Sequence, residues 1–182
     1  MWTAPSAGVL LLMLMVLTRS HGNARPHLHS NRCLLPGKTI QQTLSLLRNV
    51  GSLYSSECLN LNVSVPRNIS TNHSTCSSVQ RLVQAALQGA GHVFDNNEPN
   101  LGVGGVLWDD RKLDDFQNLL YQVLEHPCMS RLNSSGILDQ YYSDITELIQ
   151  RQDPCGWLAL RTDLMRILRT SLFKHHHCFS WN

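Results

Sequence analysis

The side chains that could do chemistry in this 182-residue chain are six cysteines, three consecutive histidines, two pairs of adjacent aspartates and four Asn-x-Ser sequons. The cysteines stand at positions 33, 58, 76, 128, 155 and 178, with no C-x-x-C spacing, so neither a zinc knuckle nor a thioredoxin-like redox site is expected. An even number of cysteines in an oxidising compartment reads as three disulfides, and fifteen pairings are open to them. His175, His176 and His177 would point in different directions along a helix or tail, whereas a metal site needs converging ligands. They read as a solvated, weakly cationic end, and no metal or other cofactor is expected. Asp109 with Asp110, and Asp114 with Asp115, splay apart on a helix and do not suit a paired acid and base mechanism. No GxSxG, HExxH or P-loop motif occurs, so no catalytic residue is assigned and an enzyme is not expected.

The sequons at Asn62, Asn68, Asn72 and Asn133 are candidate N-glycosylation sites. Three of them share one hydrophilic stretch with Pro66, which reads as an exposed loop. The run GVLLLMLMVL, Gly8 to Leu17, reads as the apolar core of a signal peptide. It is too short for a membrane span of about 20 residues, and no later segment comes near that length. Cleavage after Ser20, Gly22 or Ala24 fits, with Gly22 preferred. That gives a signal peptide over 1–22 and a single domain over 23–182. Secretion, no membrane insertion and a monomer are expected. A net charge of +2 without a basic cluster gives no reason for a nucleic-acid partner, and 42% hydrophobic residues exclude a disordered chain.

The elements that must position these residues read as helices, with almost no strands. Ile40, Leu44, Leu47 and Val50 recur at helical steps in a first helix expected over Thr39 to Glu57. Ser77 or Ser78 can cap a second, running to about Phe94 with Gly89 and Gly91 weakening its last turns. The stretch from Asn96 to Val106 reads as a flexible connector. Asp109 or Asp110 opens a third helix that stops at Pro127, and a fourth starts near Ser135. Asp153 and Pro154 open a fifth as N-cap and first residue, and its apolar face begins at Trp157. The segment between the first two helices is long enough to cross the bundle, which suits a cytokine topology, with an up-and-down bundle as the alternative.

CGWLALRTDLMRILRTSL, Cys155 to Leu172, resembles the signature of the last helix of type I interferons. WDDRKLDDFQNLLYQVLEHPC, Trp108 to Cys128, is similar to that family's third helix, and CLLP at Cys33 resembles the mature start of its alpha-type members. The sequon-bearing loop and His-rich end look more like the interferons of fish than those of mammals. The resemblance implies an all-α, five-helix, up-up-down-down bundle with long crossovers, in which Cys33 bonds Cys128 and Cys58 bonds Cys155. Parity leaves Cys76 for Cys178.

It also implies an antiviral cytokine that bridges two class II cytokine receptor chains, activating Janus kinases, STAT factors and interferon-stimulated genes. The high-affinity chain would meet Leu59, Arg161, Met165, Arg166 and Arg169, and charge reversal at Arg161 or Arg166 should cost affinity without unfolding. The basic residue that the family places shortly after that leucine is absent, Asn60, Leu61 and Asn62 standing there instead. Tyr121 would meet the second chain, although Asp139 stands where the family often has an Arg. The alternatives are another helical cytokine of the interleukin-10 or growth-hormone type and, in a different class, a secreted helical carrier of lipid or metal.

Overall fold

The computed structural model describes residues 33–52, 58, 75–97, 107–134 and 136–182. The expected signal peptide, Leu59 and the sequons at Asn62, Asn68 and Asn72 lie outside these residues.

Leu35–Pro36 (β1) leads into α1, Gly37–Asn49, which buries Ile40, Leu44 and Leu47. The helix ends well before Glu57, where the apolar spacing alone would carry it. Gly51–Ser52 (β2) turns away to pair antiparallel with Leu107–Trp108 (β3), and the Asp109 amide donates to the Val50 carbonyl at 2.7 Å. Arg161 donates to the Leu47 and Arg48 carbonyls, so the last turn finds its partners outside the helix and ending it costs little.

The second helix, α2, spans Cys76–Asn96 and is capped by Thr75 rather than Ser77 or Ser78. The extended Thr75 accepts the Ser78 amide on its hydroxyl oxygen. α2 is buried on several sides, through Val79, Leu82, Val83, Ala86, Ala90, Val93 and Phe94, because it packs against three other helices. Gly89 and Gly91 do not fray it. A Cβ on Gly89 would stand 2.0 Å from the Tyr142 ring, so the missing side chain is what lets a tyrosine of the fourth helix lie against the α2 backbone.

Asp109 caps α3, Asp110–Leu124, by accepting the Lys112 amide at 3.1 Å. The Lys112 ammonium lies 2.9 Å from the same carboxylate, and these contacts hold the Asp109 carboxyl below its usual range. α4, Asp139–Gln150, starts later than Ser135, after Gly136 at φ 81°, a left-handed conformation that keeps the chain out of a helix there. α5, Pro154–Lys174, begins as expected on its Asp153 cap, with the Cys155 amide donating to Asp153 at 2.8 Å. A Cβ on Gly156 would stand 2.8 Å from Ile149, so the α4–α5 turn closes against bare backbone.

Short strands frame the helices, a feature the helical periodicity did not signal. Phe179–Ser180 (β4) pairs in parallel with β1, Leu35 opposite Phe179. Cys33 bonds Cys128 and Cys76 bonds Cys178, placing the start of α1, the start of α2, the end of α3 and the end of α5 at one pole. α1 and α2 therefore run up, and α3 and α5 run down. α4 lies antiparallel to α5 across the turn at Arg151–Asp153 and completes the set of five helices. The opposite pole holds the Cys58–Cys155 bond and an aromatic cluster in which the Phe94 ring centre lies 5.2 Å from Trp157, tilted to it, and 5.6 Å from Phe116, edge to face.

Gly89→Ala sets two effects against each other. Helix propensity favours alanine by about 1 kcal/mol, whereas overpacking against Tyr142 costs about 1–3 kcal/mol. The aromatic ring is pinned by a 2.6 Å hydrogen bond from its hydroxyl to the Ala86 carbonyl, so it cannot swing away cheaply. Net destabilisation is expected in denaturant unfolding; a more stable variant would show that Tyr142 does not seat there.

Candidate functional site

The α1–α5 seam carries the arginine strip. Along α5 the residues at helical spacing alternate between a face that enters the core, with Trp157, Leu164 and Leu168 buried, and a partly exposed face with Arg161, Met165, Arg166 and Arg169. Against α1 this exposed face forms a shallow groove of about 530 Å³, whose walls include Leu44 and Arg48 from α1 and Met165, Arg166 and Arg169 from α5.

The four α5 residues have different roles within this surface. Arg161 reaches across to α1, donating from Nε to the Leu47 carbonyl at 2.9 Å and from its terminal nitrogen to the Arg48 carbonyl. A cation at a helix C-terminus meets both its unsatisfied carbonyls and its dipole. Burial pulls the Arg161 guanidinium below its ordinary value, yet it remains charged at neutral pH.

Arg166 folds back onto its own helix and holds Asp163 at 2.8 Å. The Asp163 side chain is only 7% exposed, and burial together with its negative charge pushes the phenols of Tyr141 and Tyr142 above the ordinary range. A reversal at Arg166 would set two carboxylates against each other over this buried acid, and one at Arg161 would set an anion on helix carbonyls. Both substitutions are therefore expected to lower stability as well as alter the surface. Arg169 is exposed, with its guanidinium 6.0 Å from the ring centre of Phe173.

Phe173 is the residue that helical spacing did not single out. It is 72% exposed, the one large apolar side chain so placed among the described residues. It follows Leu172 in the sequence, roughly 100° further round the helix, and Leu172 takes the core position at 4% exposure. Arg48 was also not singled out, and Leu44 was read only as part of the first helix's apolar stripe, because both enter the site from α1 through tertiary packing alone.

Tyr121 lies on α3, away from the groove. Its hydroxyl bonds the Asp95 carboxylate of α2, and burial, aided by that carboxylate, pushes the phenol up to about 12. Asp139 is exposed at the start of α4, and Asn133 is exposed in the segment before it. At the C-terminal end His176 stacks on Trp181 at 4.2 Å, whose indole N–H donates to the His176 carbonyl. Cys76, His177 and Cys178 lie close enough together to suggest an ion site, but their two sulfurs are bonded to each other and offer no thiolate. Among the described residues no helix is long and apolar enough to cross a membrane.

No family model and no curated protein matches the chain. Among solved structures it is similar to zebrafish interferon 2, with a TM-score of 0.59 and 22% identity over 76% of this chain and 97% of that one. The likeness establishes the fold, a helical cytokine bundle of the interferon kind.

Replacing Arg161 by alanine should cost about 1–2 kcal/mol through the lost charged hydrogen bonds, and Arg169→Ala should stay within about 0.5 kcal/mol. Equal losses in chemical denaturation would remove the distinction between the two arginines. Tyr121 favours its neutral form when folded, so its contribution to stability should be present below pH 10 and fade as pH rises toward 12. Phenolate absorbance should show this late titration, and Asp95→Asn should bring it down.

Proposed function

We propose that the chain is a secreted type I interferon of the kind found in fish, an antiviral cytokine that bridges two class II cytokine receptor chains. Bridging would bring the receptor-associated Janus kinases together, activate STAT factors and induce interferon-stimulated genes. The observation that carries this reading is the arginine-lined α1–α5 groove on an interferon fold. Arg48, Arg166 and Arg169 give it positive charge, Leu44 and Met165 give it an apolar floor, and such a surface suits an acidic receptor face with an inserted apolar side chain.

The high-affinity chain meets Arg161, Met165, Arg166 and Arg169, with Leu59 following the Cys58 bridge that fixes the neighbouring chain to α5. The second chain meets the face that includes Tyr121. The protein acts as a monomer with one surface for each chain, and its three disulfides suit the oxidising extracellular space. No cofactor enters the mechanism.

The test applies purified, secreted protein to cells of the same source and follows phosphorylation of the receptor-associated kinases and STAT factors within minutes. Arg169→Glu is the informative partner, because neither a buried carboxylate nor a helix end depends on Arg169. It should lower affinity for the high-affinity chain by about tenfold or more while unfolding like the parent. Response by both proteins would keep the cytokine and move the site. Silence from the folded, disulfide-intact parent on receptor-bearing cells would overturn the reading. Tyr121→Ala should weaken signalling while leaving binding to the first chain unchanged; a matching loss in both would place Tyr121 elsewhere in the mechanism.

A further inference from the structure

Between α2 and α4 lies an open cleft of about 740 Å³ that the arginine groove does not touch. Its size is that of a small-ligand site, about 300–1,000 Å³. Gln84, Gln88 and His92 line one wall from α2, and Tyr142, Thr146 and Glu147 line the other from α4. These are the amides, hydroxyls and carboxylates that pair with a polyhydroxylated ligand, and Ala85, Val93 and Leu138 add apolar patches between them.

Two further observations say what sort of ligand fits. Gln84 is 4% exposed and donates its Nε2 to the Met129 carbonyl at 2.7 Å, but its Oε1 is buried with no partner in the protein. A buried acceptor left in that state is costly, and a polar occupant that draws the Gln84 amide toward the cleft relieves that cost. Asn133, the acceptor of the fourth sequon, is itself part of the cleft lining. It is held there by its neighbour Ser134, which is 7% exposed and donates its hydroxyl to Gln88 at 3.1 Å.

We infer that the cleft seats the core N-acetylglucosamine of a glycan on Asn133, so that the sugar is a packed part of the α2–α4 face. The acetamido N–H meets the cleft's amides, including Gln84 once its amide tips outward, the methyl group meets the apolar patches, and the ring hydroxyls meet the remaining amides and Glu147. Covalent attachment at the rim keeps the local concentration high, so a weak intrinsic affinity is enough to fill the site. The inference relies on the proposed function only for passage through the secretory pathway; it does not depend on any receptor.

The experiment uses full-length protein secreted from eukaryotic cells whose N-acetyl methyl groups carry ¹³C, with occupancy of each sequon read by peptide mass mapping. One labelled methyl should show through-space contacts to the Ala85 methyl and the Tyr142 ring. Those contacts should vanish in Ser135→Ala, which removes the sequon, and in Thr146→Trp, which keeps the sequon and fills the cleft. Enzymatic release of the Asn133 glycan should be about tenfold slower from the folded protein than after unfolding, and Thr146→Trp should narrow that gap. A bare Asn133 beside occupied sequons at Asn62, Asn68 and Asn72 would overturn this inference and leave secretion intact, whereas failure to be secreted would overturn both. An occupied Asn133 whose sugar shows no contact with α2 or α4 would overturn it as well, returning the cleft to another occupant such as a receptor side chain.

Discussion

At the pole where the described chain enters and leaves the bundle, the buried amide of Gln80 donates to two carbonyls, Cys33 at 3.0 Å and Cys178 at 2.9 Å. Without it two backbone acceptors from distant parts of the chain would converge with nothing between them. With it, the first turn of α2 becomes the surface on which the N-terminal and C-terminal segments are aligned. β1 and β4 then run side by side, and Trp181 closes over Gly37, where a Cβ would stand 2.9 Å from the indole. The magnitudes separate alignment from stability. A neutral hydrogen bond contributes about 1 kcal/mol, whereas bridges spanning 95 and 102 residues contribute nominally about 4–5 kcal/mol each in a chain-entropy account. The disulfides supply most of the stability of this pole, and the amide determines which segments meet there.

The arginine groove depends on the same arrangement, because α1 and α5 must be held in register for it to exist. Arg161 shows how closely structure and recognition are joined. Its guanidinium completes the C-terminus of α1, and in doing so fixes the wall from which Arg48 and Leu44 face the groove. Arg166 stands over a buried carboxylate that two tyrosines also feel. Two of the three arginines on the α5 strip are thus committed to the fold, and the side chains most available to a partner are Arg169 and the exposed Phe173 beside it.

The helices were legible because each carries a continuous apolar stripe, and the fifth also carries a capping aspartate whose position Pro154 makes unambiguous, whereas the third left Asp109 and Asp110 both open until the Lys112 amide chose Asp109. What spacing could not supply was where a helix yields to something stronger. The end of α1 is set by Arg161 and by pairing with β3, both far off in sequence. Gly89 looked like a weakness in α2 because the sequence does not show Tyr142 arriving over it. Thr75 displaced two serines as the cap because extended backbone brings its hydroxyl to the Ser78 amide. The arginines were visible as a strip, but their division between structural and exposed roles depends on whether Asp163 is buried and whether α1 ends beside Arg161. Both are properties of packing.

The parallel pairing of Leu35 with Phe179 has a topological consequence. The segment entering β1 and the segment leaving β4 lie close together at one pole, although they run off in opposite senses along the parallel pair, and bridges at Cys33 and Cys178 hold them close to that pairing. From Cys33 to Asn182 such a unit is nearly a ring with a single cut. A short linker could close the cut and a new one could be opened in a surface connection, leaving the order of the helices in space unchanged while permuting their order in sequence. For a molecule tethered through either end, the same pole would face the tether and the same seams would face outward.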